Sequence, residues 1–143
     1  RDEFKLPGMR VLQFTFGDDV AQSVHSPHNF VINSIAYTGT HDNNTTVGWF
    51  RQDADEQIRR HVEEYSGVPA KEKNIHLVLS KLAYSTVSKI IILPMQDVIG
   101  LDEEARMNTP ASVENNWAWR LKSKQLKPKY SKRLKSWVKF YNR

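Results

Sequence analysis

A short apolar and β-branched run, residues 33–38, ends at Gly39 and is followed at once by His41 and Asp42. Such a run is typical of a β-strand, and the glycine supplies the turn after it. In parallel sheets, and above all in (β/α)₈ barrels, reactive side chains lie in the turns that follow the strands. The position of His41 and Asp42 therefore predicts a functional site on a parallel α/β sheet.

The predicted elements follow the order strand, strand, helices, strand and helical tail. Side chains alternate over residues 10–16, which predicts a first strand, and residues 30–37 predict a second. Residues 89–93 form a continuous β-branched run, which is typical of a strand buried on both faces, and Pro94 ends it. This order indicates the α/β class. Three strands are few for a closed core, so we expect either a small open sheet or a slice of a larger barrel.

Two helices are predicted directly after the second strand. Asn43 or Asn44 can cap a short one that ends near Trp49, because amide side chains accept backbone N–H groups at helix starts. Asp53 can cap a longer helix, and Gly67 can end it. The inner face of the longer helix should consist of Ile58, Val62 and Tyr65.

Two further helices complete the expected order. Residues 74–86 carry apolar side chains at helical spacing, namely Ile75, Val78, Leu79, Leu82 and Ala83. Ser131 can cap a last helix near the end of the chain. The apolar face of this last helix should consist of Leu134, Trp137, Val138 and Tyr141.

The net charge of +5 is unevenly distributed along the chain. Residues 120–143 hold ten of the 21 Lys and Arg residues and no acid, so the first 119 residues hold eleven bases against all 16 acids. A basic tail on an acidic body is compatible with nucleic-acid binding. No RNP, helix-turn-helix or zinc-finger pattern accompanies the charge. We therefore expect the lysines to form the solvated side of a helix, and we expect no nucleic-acid partner.

The bulk composition fits an ordinary globular protein. Its 143 residues, 39% of them hydrophobic, suit one domain without internal boundary, residues 1–143. No apolar run approaches the roughly 20 residues of a membrane helix, so we expect no membrane association. The absence of cysteine is compatible with a cytoplasmic location. The first residues, RDEFK, are neither an initiator methionine nor a signal peptide, which favours a slice of a longer protein.

The His41-Asp42 pair has alternative interpretations. An Asp at the end of a strand often caps the following helix. A metal site could draw on His25, His28, His41 and Asp42, although the two histidines at 25 and 28 lie in a loop with no rigid element to fix them. A serine hydrolase and a nucleotide-binding enzyme are excluded by the lack of their glycine motifs.

A second polar segment, residues 96–108, follows the third predicted strand. Asp97 or Asp102 could cap a helix there, and Arg106 could form a salt bridge. Alternatively, Asn108 carries an amide that can both donate to and accept from sugar hydroxyls.

Trp117 and Trp119 alternate with small or polar residues just behind this segment. Core packing is the usual fate of such tryptophans, and stacking on a sugar ring is the other use.

Together these segments resemble the C-terminal part of the amylomaltases, or 4-α-glucanotransferases, of glycoside hydrolase family 77. The run GTHDNNTTVGWF at residues 39–50 is highly specific for the family. The other matching stretches occur in the family's order along nearly the whole chain: LPGMRVLQF at 6–14, PHN at 27–29, QDVIGL at 96–101, ARMNTP at 105–110 and NWAWR at 116–120.

The resemblance implies a (β/α)₈ barrel, of which this chain supplies about strands 6 to 8 with their helices. It places one of the family's three acidic residues, the Asp that stabilises the transition state, at Asp42, with His41 touching the same sugar. The nucleophilic Asp and the acid/base Glu would lie upstream of residue 1. Asn108, Asn29 and Arg106 carry over as substrate contacts. Ala111 is a departure, because many members have glycine there.

The implied activity is retaining transfer of α-1,4-glucan segments between maltodextrins through a covalent glycosyl-enzyme. The resemblance implies no metal or organic cofactor. A slice with two acidic residues missing should be inactive alone, and its unpaired strand edges favour self-association. The alternative is a glucan-binding or structural fragment without catalytic activity.

Overall fold

The structure is a computed structural model that describes Phe4 and residues 6–143. Its sheet has three strands: β1 (Gly8–Val11), β2 (Ser34–Tyr37) and β3 (Ile90–Ile92). All neighbours are parallel, and the strands lie in chain order, with β2 in the centre. Parallel strands need helical crossovers, and here helices follow β2 before β3 begins. The predicted α/β class is therefore confirmed.

The described residues form five α-helices. Three lie between β2 and β3: α1 (Thr46–Gln52), α2 (Glu56–Ser66) and α3 (Ile75–Ser85). Two follow β3, namely α4 (Met95–Ile99) and α5 (Pro128–Phe140). None of these helices has both the length and the apolar character that crossing a membrane requires.

The first strand is shorter and earlier than predicted. It ends at Val11, and a 3₁₀ turn, Leu12–Phe14, replaces the rest of the expected strand. Leu12 and Phe16 are both fully buried while Phe14 is exposed. A bent segment can place Leu12 and Phe16 on one side just as a strand does, because they are four residues apart. The alternating sequence pattern therefore does not distinguish a strand from this bend.

The expectation that β3 is buried on both faces is wrong. Ile90 and Ile92 are 43% and 44% exposed, whereas Ile91 packs against the core. Ile35 pairs with Ile90 and Tyr37 with Ile92, and paired residues of parallel strands share a face. The described helices cover only the other face, so these side chains have no second layer against them. We call this the open sheet face; it consists of Met9, Ile35, Tyr37, Ile90 and Ile92.

The core lies between the helices and the covered face of the sheet. Phe16 is fully buried at its centre and contacts the rings of Trp49 and Tyr65. The predicted inward stripes of α2 and α3 are confirmed. Their members are buried or partly buried in one cluster: Ile58, Val62, Tyr65, Ile75, Val78, Leu79, Leu82 and Ala83.

The cap of α1 differs from the predicted one. Thr45, not Asn43 or Asn44, accepts the Gly48 N–H through its side chain at 3.1 Å. Asn43 is engaged one turn earlier, where its Oδ1 accepts the Thr40 backbone N–H at 2.9 Å. Three neighbouring side chains could compete for the same N–H, and the turn at Thr40 decides between them.

The cap of α2 is Asp55, whose side chain accepts the Ile58 N–H at 2.8 Å. The predicted cap, Asp53, instead ends α1. Gly67 ends α2 as predicted, with a φ of 71° that suits glycine.

The tail helix α5 forms, but it begins at Pro128 rather than at a Ser131 cap. Proline suits a first helical position because its missing N–H would have no partner there. The rings of Trp137 and Tyr141 contact Tyr84 of α3. No residue of α5 is fully buried, and Val138 of the predicted apolar face is exposed. The tail therefore packs as a partly covered helix on α3.

Candidate active site

The β2–α1 loop, residues 38–45, leaves the carboxyl end of β2 and carries His41 and Asp42. Gln13 fastens it from beneath, since its Nε2 donates to the Asn44 carbonyl at 3.0 Å. Gly39 lies against the same amide, and a Cβ at Gly39 would lie 2.6 Å from Gln13 Nε2. A side chain at this position would therefore displace the Gln13 amide from its contact with the loop.

Gly48 meets a similar constraint in the first turn of α1. The Asn44 side chain lies over it and donates to Gln52 Oε1 at 3.2 Å. A Cβ on Gly48 would lie 2.4 Å from Asn44 Oδ1. Both glycines of the GTHDNNTTVGWF run thus make room for amide side chains that shape the loop.

A second segment, residues 105–117, folds over this loop from the far end of the chain. Asn108 donates from Nδ2 to Asp42 Oδ1 at 2.7 Å and from its backbone N–H to the His41 carbonyl at 3.1 Å. Arg106 donates to the Asp42 carbonyl at 2.8 Å and to the Asn108 carbonyl at 2.9 Å. The structure therefore brings four of the predicted site residues together. More than 60 positions of the chain separate His41 and Asp42 from Arg106 and Asn108.

Asp42 and His41 stand at the surface of this assembly. His41 Nε2 lies 3.3 Å from Asp42 Oδ1, and their side chains are 56% and 53% exposed. Within the described part of the chain, the recorded partners of the carboxylate both lie on Oδ1. The other oxygen, Oδ2, is thus open to accept hydrogen bonds from hydroxyl groups, as an ionised carboxylate does well.

Trp117 lies beside this pair, and the expectation that it packs in the core is wrong. It is 54% exposed, and its ring centroid lies 5.0 Å from that of His41. Its φ of 61° is left-handed, which is uncommon for a bulky residue. Its backbone N–H donates to the Met107 carbonyl at 2.7 Å, which helps to hold this conformation. Strained residues of this kind cluster at functional sites.

A cavity of about 160 Å³ lies behind His41. It is bounded by both loops and by the start of α4, and Asp42 lies outside it. The lining residues are Gly39, Thr40, His41, Asn43, Asn44, Thr45, Pro94, Gln96, Asp97, Arg106, Met107 and Trp117.

Comparison with known proteins identifies the family of the chain. Residues 1–126 match the family model described as 4-alpha-glucanotransferase. The chain belongs to the 4-alpha-glucanotransferase family, glycoside hydrolase family 77. Over its whole length it is 40% identical to the 4-alpha-glucanotransferase of Streptococcus pneumoniae. It is 39% identical over 141 residues, 95% of the chain, to the Thermus thermophilus protein of the same name.

A solved structure of the family has the same fold. Amylomaltase from Streptococcus agalactiae, in complex with acarbose, superposes with a TM-score of 0.91 at 36% identity over 99% of this chain. The chain covers 28% of that protein, and likewise 28% of the S. pneumoniae and T. thermophilus relatives. It therefore corresponds to little more than a quarter of these 4-α-glucanotransferases.

The sequence predicts a local helix cap at Asp97 or Asp102. The structure instead buries Asp97, 2% exposed, with hydrogen bonds from Thr38 and Thr46. Burial raises the pKa of the Asp97 carboxyl, and these hydrogen bonds oppose that rise. Asp102 is the residue that caps locally, since it accepts the Glu103 N–H at 2.7 Å. Asp97 lies in α4, shortly after the end of β3, and this place at the carboxyl end of the sheet is the signal that could have drawn attention to it.

Asn29 is the predicted site residue that the described contacts do not join to Asp42. Its amide donates to the carbonyls of Ala21 and Ser23, at 2.8 and 3.0 Å. It therefore braces the loop between β1 and β2.

The residues of the metal alternative are also engaged elsewhere. His25 Nδ1 accepts the Val11 N–H at 3.0 Å, and His28 stacks on Tyr65. Over Phe4 and residues 6–143, no group of three or more suitable side chains could hold a metal ion.

Proposed function

We propose that this chain is the part of a 4-α-glucanotransferase that supplies the transition-state-stabilising carboxylate, Asp42. The observation that carries the proposal is the arrangement of that carboxylate. Asn108 and His41 hold one of its oxygens, while the other stays open beside an exposed aromatic ring. A carboxylate fixed in this way can accept hydrogen bonds from sugar hydroxyls without reorganising.

The reaction we propose is retaining transfer of an α-1,4-glucan segment between maltodextrins. It needs a nucleophile and an acid/base, two carboxyl groups about 5–5.5 Å apart, which would come from other parts of the full-length protein. Asp42 would bind the ring hydroxyls more tightly as the sugar flattens toward an oxocarbenium ion. Binding that strengthens in the transition state lowers the barrier.

The neighbours of Asp42 have separate roles in this proposal. Asn108 orients the carboxylate and, with the remaining capacity of its amide, contacts the sugar. His41 contacts a hydroxyl of the same ring through Nδ1, the ring nitrogen that does not face Asp42. Arg106 holds the loop backbone, since its recorded bonds go to two carbonyls. Asn29 would act at the rim of the site by holding its loop in place.

The sheet supports assignment to a barrel. Three parallel strands in chain order, with helices on one face only, fit strands 6 to 8 of a (β/α)₈ barrel. The rest of such a barrel would cover the open sheet face.

We propose that residues 1–143 form one partial domain of this kind, acting on maltodextrins in the cytoplasm. The potato relative is named as chloroplastic/amyloplastic, so relatives are not confined to one compartment.

The test is an assay of the full-length protein with maltotriose. We expect glucose together with maltodextrins longer than the substrate, because transfer lengthens one chain as it shortens another. The isolated 143-residue chain should give neither product, since catalytic groups of one site act as a unit. A full-length protein that retains maltodextrin yet forms no product would instead support the non-catalytic alternative.

A further inference from the structure

One buried carboxylate closes the loop that carries Asp42. Asp97 Oδ2 accepts from Thr38 Oγ1 at 2.5 Å and from Thr46 Oγ1 at 2.8 Å, and Oδ1 accepts the Thr46 N–H at 2.8 Å. Thr38 is the first residue of the β2–α1 loop, and Thr46, directly after the loop, is the first residue of α1. Asp97 therefore fixes the distance between the two ends of the loop.

The cost of burying this group argues that its position matters. Asp97 is almost fully buried, and Thr38 and Thr46 are fully buried. A buried charge costs several kcal/mol unless its surroundings compensate, and well-packed apolar residues are often at least as stabilising. Among the described residues no cation is recorded against the carboxylate, which has only these three donors. The three hydrogen bonds hold Thr38 and Thr46 in one arrangement, because losing them would leave three buried donors unpaired.

The preceding residue holds the second loop. Gln96 is buried, and its Nε2 donates to the Ala105 carbonyl at 3.0 Å. Ala105 immediately precedes Arg106 and Asn108, the residues that hold Asp42. Two adjacent residues of α4 thus hold both loops, whose tips meet where Asn108 donates to Asp42.

We propose that Gln96 and Asp97 are positioning residues that set the place of Asp42 relative to the substrate. The inference rests on the proposed function of Asp42 and adds a rigid support beneath it. A misplacement of about 1 Å can cost roughly 10²-fold in rate even when the mutation lies far from the chemistry. Loosening this support should therefore affect turnover more than binding.

The first experiment measures kcat and KM for maltotriose in the full-length enzyme carrying Asp97→Asn. The amide has nearly the same shape but only one accepting oxygen, so Thr38 and Thr46 must turn their hydroxyls to accept from Nδ2, and the charge that strengthened these bonds is lost. We expect kcat to fall about tenfold to a hundredfold, with KM within a few-fold of the parent. Asp55→Asn is the matched control, because Asp55 also accepts a helix N–H but lies on α2, away from the site. This control should leave kcat unchanged.

A second pair of variants keeps the test valid if Asp97→Asn does not fold. Thr38→Val removes one hydroxyl that donates to Asp97 and keeps the side-chain shape. Thr38→Ser restores the hydroxyl. We expect kcat to fall several-fold in Thr38→Val and to recover in Thr38→Ser, at temperatures well below either melting point. Equal kcat in both variants would overturn the inference.

A double-mutant cycle shows whether Asp97 acts through Asp42. If it does, Asp97→Asn should cost far less in an Asp42→Asn background than in the parent. Additive losses would mean that Asp97 acts on something else and would overturn the inference, as would a parent-like kcat for Asp97→Asn. Failure of the proposed function gives a different result, namely an unmodified full-length protein that forms no transfer products.

Discussion

At the scale of single residues, Ala111 carries an avoidable strain. Its φ of 64° is left-handed, and this conformation costs an alanine about 1–2 kcal/mol but costs a glycine nothing. A glycine at this position would relieve that strain, because it lacks the Cβ that causes it.

We therefore expect Ala111→Gly to raise the stability of the full-length protein by up to about 1 kcal/mol, after about 0.5–1 kcal/mol is lost to the freer unfolded chain. The measurement is the midpoint of thermal or urea unfolding. Ala118→Gly is the matched control, because Ala118 lies in the same segment without a left-handed backbone. It should lower the midpoint; equal shifts in both variants would contradict the account.

His76 predicts a pH dependence of stability. Burial lowers its pKa from 6.5 to about 4, and the positive charge of Arg133 adds to this. Its Nδ1 has no recorded partner among the described residues, which suits a neutral ring. Between pH 6.5 and 4 the unfolded chain thus binds a proton that the folded chain does not. This histidine should therefore lower stability as the pH falls through that window.

His76→Gln should remove this part of the pH dependence. We expect the loss of melting temperature between pH 6.5 and 4 to be smaller in the variant than in the parent. His28→Gln is a suitable control, because His28 is exposed. A variant whose melting temperature falls as steeply as that of the parent would show that His76 is protonated in the fold.

The residues at the site were predictable to different degrees. Asp42 and His41 follow a strand and a glycine, and strand-end turns meet at one edge of a parallel sheet. The caps at Asn43 and Asp53 were misassigned because neighbouring side chains compete for the same N–H groups. Asp97 was missed because its partners lie 51 and 59 positions away, and no local pattern reports such contacts.

At the scale of elements, the tail helix depends on a small contact area. Trp137 and Tyr141 of α5 meet Tyr84, and Arg143 donates to the Tyr84 carbonyl at 2.7 Å and to the Ser88 carbonyl at 2.8 Å. These bonds satisfy carbonyls at and beyond the end of α3, as cations near a helix C-terminus commonly do. An aromatic cluster and two guanidinium groups therefore hold the helix, since Arg133 also donates to the Val98 carbonyl at 3.5 Å.

We expect Trp137→Ala to cost about 1–3 kcal/mol, less than the roughly 3–5 kcal/mol of a fully buried tryptophan, because this side chain is only partly covered. Unfolding of the full-length protein measures the loss. Lys135→Gln, on the exposed side of the same helix, should cost almost nothing. A harmless Trp137→Ala would mean that the tail contributes little to folding.

The existence of the helices was predicted better than the bounds and the burial of the strands. Helices α2 and α3 have clear apolar stripes, so their existence and inner faces followed from spacing. The bounds of the first strand were predicted wrongly, because residues four apart lie on one side both in a strand and in a bent turn. The burial of β3 was predicted wrongly because all three of its residues are isoleucine. The sequence therefore carries no sign of which face is covered.

At the scale of the whole molecule, no second layer of described residues covers the open sheet face. Met9, Ile90 and Ile92 expose large apolar side chains on one side of the sheet. Exposed apolar faces of this kind favour association. We expect the isolated 143-residue chain to form dimers or larger species in sedimentation experiments.

Replacing Ile90 and Ile92 with threonine should reduce this association, because threonine keeps the β-branched shape and adds a hydroxyl. Ile91→Thr is the matched control, since Ile91 faces the core and its replacement should destabilise the fold instead. A stable monomer of the unmodified chain at high concentration would contradict this account of the face.

Asp42 is proposed to stabilise the transition state of glucan transfer, and turnover of the full-length Asp42→Asn enzyme on saturating maltotriose measures this contribution. Asparagine keeps the shape but loses the charge. We predict that turnover falls about 10²–10³-fold while maltotriose affinity and folding change little, because the lost contact is strongest in the transition state. His41→Ala should be milder, since the carboxylate remains. Turnover of folded Asp42→Asn within a few-fold of the parent would contradict the claim.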